Sequence, residues 1–179
     1  MRKIMLFACL LAFSGLAMAE PGPTGLAVEM YIGDWADSLV FAGGVQSPML
    51  FDAAALRAEA AIVMAPLVEG ATEGMVSYPA FRLGLAGYSG MSGDIVRLYG
   101  VGGITIALPN DKLSDKNWVF GGWGGFGFEF FARRSGNEGG FCYWIELGTN
   151  GMGAKTDALP VHAMLLNGFS TQVGMRWYL

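Results

Sequence analysis

The chain of 179 residues contains little charge. Charged side chains make up 15% of it, against about 25% in an average soluble domain. Intrinsically disordered chains are polar and highly charged, so this composition excludes disorder as the main state. The net charge is −4, and the sequence has no basic cluster beyond Arg133-Arg134. We therefore expect no nucleic-acid partner.

Cysteine, histidine and long apolar runs are also scarce. Cys9 lies in the N-terminal apolar run, and Cys142 is the only other cysteine, which excludes a disulfide-stapled scaffold. We interpret Cys142 as a small packing residue. One histidine, His162, does not make a zinc site, and we expect neither a metal nor a cofactor. The longest later uncharged stretch, residues 158–175, contains Pro160 and several polar residues, so no membrane-spanning helix is predicted.

Residues 1–19 have the pattern of a secretory signal peptide. Arg2 and Lys3 form a positive region, an apolar run follows, and Ala17-Met18-Ala19 fits the small-x-small pattern before a cleavage site. The apolar run is short for a membrane helix, which needs about 20 residues. We therefore expect a cleaved signal peptide over residues 1–19 and one mature domain over residues 20–179.

Glycine and apolar residues are abundant. The chain has 28 glycines and is 53% hydrophobic, and glycine does not recur at every third position as in collagen. Apolar residues instead alternate with others, a spacing typical of β-strands. The segment at 54–64 is rich in alanine and could be a helix on propensity alone. We predict eight strands, at residues 25–33, 38–45, 54–64, 75–88, 94–108, 117–133, 140–148 and 168–179.

The charges inside these predicted strands are arginines and glutamates on the face opposite to the apolar one. Aspartates and lysines fall in connections or at strand ends. Since five arginines meet four glutamates, we expect a nearly neutral ion-pair network in the interior of a barrel. Its predicted members are Glu29, Arg57, Glu59, Arg82, Arg97, Glu129, Arg133, Glu146 and Arg176.

Two architectures explain the alternation. In a soluble barrel or sandwich the apolar faces point inward, whereas in an outer-membrane barrel they point outward to lipid. Strands without lysine or aspartate favour the membrane version. So do aromatic residues near the strand ends, such as Trp118, Phe130, Phe141, Phe169 and Trp177, because aromatic girdles mark the membrane interfaces. Abundant glycine suits a narrow, strongly curved wall, with room beside Tyr99, Trp123, Trp144 and Arg176.

The expected lengths of the connections agree with this interpretation. If both termini are periplasmic, the outer connections are residues 34–37, about 65–74, about 109–116 and about 149–167. Three of these four are long, as the outer loops of such barrels are. The inner connections are expected at about 46–53, 89–93 and 134–139.

The chain resembles the small eight-stranded outer-membrane barrels of the OmpA, OmpX and opacity type. The most specific part is the last strand, residues 168–179, which resembles the C-terminal signal read by the barrel assembly machinery; its members here are Val173, Met175, Trp177, Tyr178 and Leu179. The family usually ends in Phe, and this chain ends in Leu179. The resemblance implies an all-β, antiparallel, up-and-down transmembrane barrel in the bacterial outer membrane. It also implies outer-membrane lipid, the assembly machinery and periplasmic chaperones as partners.

Four functions remain open at this level. The first is a non-enzymatic barrel with a structural or surface role, without an assigned extracellular partner. The second is a narrow pore, although eight strands leave an interior just wide enough for side chains. The third is a lipid hydrolase or acyltransferase using His162 and Ser170, or the carboxylates of Glu129 and Glu146, although we expect these glutamates to pair with Arg97, Arg133 or Arg176. The fourth is a soluble secreted barrel that binds an apolar ligand.

Overall fold

Eight antiparallel strands close into a barrel in sequence order. The computed structural model describes residues 22–51, 53–69, 72–93, 95–132, 140–153 and 166–179. The strands are β1 (Ala27–Trp35), β2 (Leu39–Gln46), β3 (Ala54–Glu69), β4 (Thr72–Ser92), β5 (Val96–Ala107), β6 (Val119–Phe131), β7 (Gly140–Met152) and β8 (Gly168–Tyr178). The predicted all-β, up-and-down, eight-stranded fold is confirmed. The predicted signal peptide, residues 1–19, lies outside the described residues.

Within the described ranges, no helix is long and apolar enough to span a bilayer.

The first and last strands complete the barrel wall. β1 pairs with β8 from Ala27 opposite Tyr178 to Trp35 opposite Ser170, and each strand also pairs with its sequence neighbour. We call the end where β1 begins and β8 finishes the terminal end, and the opposite end the loop end. Closure leaves no unpaired edge along the common height of the strands.

Period-two alternation sets which residues face the lumen. On β1, Met30 is 60% exposed on the outside while Glu29 and Tyr31 are buried inside. The same alternation places large apolar residues on the outer surface of every strand, among them Phe41, Leu83, Ile104, Phe128, Ile145 and Val173. The soluble alternative requires apolar faces inside, which is the reverse of this arrangement.

Glycine makes room for large rings inside the narrow wall. A Cβ atom at Gly127 would lie 2.4 Å from the Tyr99 ring, and one at Gly174 would lie 2.7 Å from the Trp144 ring. These contacts are shorter than carbon atoms tolerate, so both rings lie directly on glycine backbone. The sequence-based expectation of glycine beside Tyr99 and Trp144 is thus met at these two positions.

The connection predicted at residues 65–74 is wrong. β3 continues to Glu69 and β4 begins at Thr72, so Glu69 and Glu73 belong to strands rather than to a loop. The β2 pairing stops at Met64 and the β5 pairing stops at Ala80. Beyond those points, within the described part of the chain, β3 and β4 pair only with each other, in an extension that includes Pro66 opposite Met75. Proline is tolerated there because each strand now has a free edge.

Because of this extension, the connection between β3 and β4 is short rather than long. At the loop end, long connections follow β5 and β7, and short ones follow β1 and β3, so two connections rather than three are long. The first connection is a tight hairpin in which Trp35 and Ser38 exchange two backbone hydrogen bonds of 2.8 and 3.2 Å. Its central residues, Ala36 and Asp37, have φ angles of 51° and 66°, as a two-residue hairpin turn requires.

Candidate functional site in the barrel lumen

The lumen contains eight of the nine charged residues predicted to form an interior network. Each of the eight is at most 7% exposed. Four are arginines and four are glutamates, so their formal charges cancel. They are Glu29, Arg57, Glu59, Arg82, Arg97, Glu129, Glu146 and Arg176, and we call them the lumen network. Arg133, the ninth, lies outside the described residues.

Glu129 organises the part of the network nearest the terminal end. Its Oε2 accepts a hydrogen bond of 2.7 Å from Arg97 Nε. Its Oε1 accepts one of 2.7 Å from the Tyr178 hydroxyl and pairs with Arg176 Nη1. Arg97 Nη2 also donates to the Tyr178 hydroxyl at 2.6 Å. One carboxylate on β6 thus joins β5 to β8 across the lumen.

Arg57 and Arg176 organise the middle of the network around Glu29. Arg176 donates to Glu29 Oε2 from Nε at 2.8 Å and from Nη2 at 2.6 Å. Arg57 Nε donates to Glu29 Oε1 at 2.6 Å, and its Nη1 donates to Glu146 Oε2 at 2.6 Å. The same carboxylate of Glu146 accepts from Tyr99 and from Gln172 at 3.0 and 3.1 Å. Every carboxylate oxygen of Glu29 and Glu146 therefore has a donor, as buried charge requires.

Arg82 and Glu59 form the part of the network nearest the loop end, and they interact weakly. Glu59 Oε2 accepts from the Tyr31 hydroxyl at 2.5 Å and lies 3.9 Å from Arg82 Nη1. Glu59 Oε1 lies 2.7 Å from Arg57 Nε. Arg82 Nη2 donates to the side-chain oxygen of Asn150. Arg82 thus has a neutral amide as its direct partner and its carboxylate at a longer distance.

Aromatic rings fill the space between the charges. The Arg82 guanidinium carbon lies 3.4 Å from the Trp35 ring centroid and 4.4 Å from that of Trp123. Arg57 lies 5.0 Å from the Trp144 ring, and Arg97 lies 4.4 Å from the Tyr88 ring. Cation–π contacts of this kind are strongest where water is excluded, so rings and carboxylates together hold the arginines in fixed positions.

The chain itself covers the terminal end of the lumen. Gly22 and Pro23 precede β1 and are buried, and the Pro23 carbonyl oxygen accepts a hydrogen bond of 2.9 Å from Arg97 Nη1. Around them Ala27, Phe131, Cys142 and Tyr178 form a buried apolar cluster, with Met91 against it. This places Cys142 in packing, as the sequence suggested.

Apolar side chains cover the loop end. We call the cluster formed by Trp35, Tyr78, Leu113, Met152 and Leu166, with their smaller neighbours, the apolar cap. Leu113 and Leu166 come from the connections after β5 and β7 and are 2% and 4% exposed. The described residues therefore enclose the charged network between two covered ends.

Sequence reasoning placed the charges but not all of their partners. Glu146 pairs with Arg57, not with Arg97 or Arg176 as expected. The hydroxyls of Tyr31, Tyr88, Tyr99 and Tyr178 and the amides of Gln46, Asn150 and Gln172 also take part. Except for Gln46, whose strand carries no charge, these polar residues share the period-two face of the charges on their own strands, and that is the signal that could have identified them.

The residues predicted as a C-terminal assembly signal point to both sides of the wall. Val173, Met175, Trp177 and Leu179 are exposed on the outer face, whereas Tyr178 is buried and bonded to Glu129. Tyr178 is therefore also a hydrogen-bonding partner of the lumen network.

The candidate catalytic residues are only partly described. Ser170 is 2% exposed and faces the interior. His162 lies outside the described residues. Glu129 and Glu146 are each bonded to arginine rather than to one another. Within the described ranges no three side chains of His, Cys, Asp or Glu are grouped so as to hold a metal ion.

The N-terminal β-barrel domain of Pseudomonas aeruginosa OprF, solved by crystallography, is similar in structure. The TM-score is 0.60 with 12% sequence identity, and the match covers 88% of this chain and 99% of that domain. The fold is that of a small outer-membrane β-barrel. No protein-family model matches the sequence, and the search of curated proteins also found no match.

The outer face of this outer-membrane barrel fold carries aromatic residues near both ends. Phe130, Phe141 and Trp177 lie toward the terminal end, and Trp118 and Phe169 lie at the loop end, 63% and 60% exposed. Two such belts match the positions of the two interfaces of a bilayer.

Proposed function

We propose that this chain is an integral protein of a bacterial outer membrane with a structural or surface-interaction role, and that it is neither a pore nor an enzyme. The observation that carries the proposal is the closed lumen, in which four arginines and four glutamates are buried and three of the arginines pair directly with carboxylates. A conducting path needs continuous water, and buried ion pairs at hydrogen-bond distance occupy that path.

The proposed biogenesis follows from the resemblance. The signal peptide of residues 1–19 directs secretion and is removed, periplasmic chaperones hold the unfolded chain, and the assembly machinery reads the end of β8. The terminal end then faces the periplasm and the loop end the cell exterior, with outer-membrane lipid around the wall.

Fractionation and bilayer recording test the central proposal. The protein is expected in the outer-membrane fraction, and its mobility on a denaturing gel should change on boiling, as closed barrels do. In planar bilayers the purified protein should give no steady open channel. Recovery as a soluble periplasmic protein, or stable unitary currents, would overturn it.

The enzyme alternative has a separate test. His162→Ala and Ser170→Ala should leave the composition of the envelope lipids unchanged relative to the wild type. A lipid species that disappears in both variants and returns with the wild-type gene would contradict the non-enzymatic role.

The role of the C-terminal residue can be measured with a matched pair of variants. Since Leu179 stands where this type of barrel usually has Phe, Leu179→Phe should raise the fraction of boiling-sensitive, folded protein in cells. Leu179→Lys should lower it. Equal folded fractions for both would show that the assembly machinery does not read this position.

A further inference from the structure

Arg82 is the least neutralised arginine of the lumen network. Arg57, Arg97 and Arg176 each have a carboxylate oxygen within 2.7 Å. The carboxylate nearest to Arg82 is that of Glu59, at 3.9 Å. This carboxylate already accepts a hydrogen bond from Tyr31 and lies against Arg57. A buried cation normally has a direct anionic partner, so Arg82 departs from the pattern of the other three.

Among the residues that the structure describes, several hydrogen-bond donors around Arg82 have no acceptor. They are Arg82 Nε and Nη1, Trp35 Nε1, Thr105 Oγ1, Trp123 Nε1 and Asn150 Nδ2, and we call them the donor cluster. All five residues are at most 7% exposed. Nearly all buried polar groups in proteins are hydrogen-bonded, so five neighbouring side chains that each have an unpartnered donor atom call for an acceptor.

Strand register brings the donor cluster together. Arg82 lies opposite Thr105 on the neighbouring strand, and Trp123 lies opposite Asn150. The Arg82 guanidinium bonds Asn150 and stacks on Trp35 and Trp123. Every member of the cluster is therefore either in contact with Arg82 or its cross-strand neighbour.

We propose that the donor cluster is a binding site for one small monovalent anion of the halide class. Guanidinium, indole, amide and hydroxyl donors are the groups that coordinate halides. Arg82 has no carboxylate at hydrogen-bond distance among the described residues, and a single negative charge would give it a direct anionic partner. A multiply charged anion such as phosphate would carry a larger desolvation cost at this depth. The apolar cap lies above the site, and this favours weakly hydrated anions and slow exchange with solvent.

The test uses the full barrel refolded into detergent in sodium bromide or in sodium gluconate at equal ionic strength. Bromide quenches tryptophan emission on contact, and Trp35 and Trp123 are two of the five tryptophans. We expect quenching with a saturable component and a thermal midpoint that rises over the same bromide range. Linear quenching with an unchanged midpoint would overturn the proposal.

Three variants separate binding from general salt effects. Asn150→Asp puts a carboxylate beside Arg82 and should abolish the saturable response while keeping the fold. Thr105→Val removes one donor and should raise the half-saturating bromide concentration several-fold. Thr149→Val makes the same replacement on the outer face and should respond as the wild type. Equal saturable responses in Asn150→Asp and the wild type would contradict the site.

Discussion

Arg176 and Arg82 lie in one lumen but are neutralised to different degrees. Arg176 pairs with both Glu29 and Glu129, whereas Arg82 relies on an amide and a distant carboxylate. For a buried ion pair the net stabilisation is small, but removing one partner leaves an uncompensated charge. The loss in the free energy of unfolding when an arginine is replaced therefore depends on how many carboxylates lose a partner.

Arg176→Gln should destabilise the barrel strongly. It leaves Glu29 and Glu129 each without one of its two arginines, and breaking a buried pair costs about 3–5 kcal/mol. Arg82→Gln should cost less, because Glu59 keeps Tyr31 and Arg57. Urea unfolding of the refolded barrel, followed by tryptophan emission, measures both. Equal losses for the two variants would show that pairing does not set their contributions.

Gly127→Ala should also destabilise, for a steric reason. The new Cβ would meet the Tyr99 ring at 2.4 Å, and overpacking of a tight interior costs about 1–3 kcal/mol. Gly122→Ala on the same strand is the control, since its nearest neighbour lies at 3.5 Å. Adding Tyr99→Leu to Gly127→Ala should recover part of the loss. If the double variant lost as much free energy of unfolding as Gly127→Ala and Tyr99→Leu lose together, the proposed clash would be contradicted.

At the scale of the strand, the period-two pattern predicted seven of the eight strands, and β2 was predicted from a short apolar run without clear alternation. The prediction failed at the end of β3, where a connection was expected at about residues 65–74, but Pro66 and Gly74 lie opposite Met75 and Leu67 in a two-stranded extension. Proline interrupts a strand that is paired on both sides, but it does not interrupt a strand that has an unpaired edge. Which strands extend beyond their neighbours depends on the stagger of the strands around the barrel. The sequence of a single strand does not determine this stagger.

The outward orientation of each strand predicts a depth-dependent response to charge. Val173 lies near the middle of β8 and Val45 near the end of β2, both on the outer face. Val173→Arg should cost about 2–4 kcal/mol in a bilayer, and Val45→Arg about 0–1 kcal/mol. Unfolding in lipid vesicles measures the difference. Similar costs at both positions would contradict a bilayer whose midplane lies at the height of Val173.

At the scale of the whole molecule, pairing inside the lumen depends on closure. Glu146 was expected to meet Arg97, Arg133 or Arg176 and instead bonds Arg57, 89 positions away in sequence. The inward face of each residue follows from alternation along its own strand. The partner across the lumen follows from the shear of the closed barrel, which no single segment encodes.

A cysteine pair can test the register of the closing strands. Met30 and Met175 lie opposite one another on β1 and β8, so Met30→Cys with Met175→Cys should be joined by a short crosslinker in the folded barrel. The linked chain should migrate differently from the linear one after boiling. Val28→Cys with Met175→Cys, displaced by two positions, should link much less. Equal linking of both pairs would contradict this register.

The bond between Glu29 and Arg176 joins residues 147 positions apart, and this has a consequence for the order of membrane entry. Before β8 meets β1, Arg57 is the arginine that pairs with Glu29 among the described residues, and Arg97 is the one that pairs with Glu129. A half-built wall would carry these under-compensated charges into hydrocarbon, at a cost that a finished wall avoids. In the outer membrane proposed for this chain, the bilayer would therefore favour entry of a barrel whose first and last strands have already met over entry of a partly assembled one.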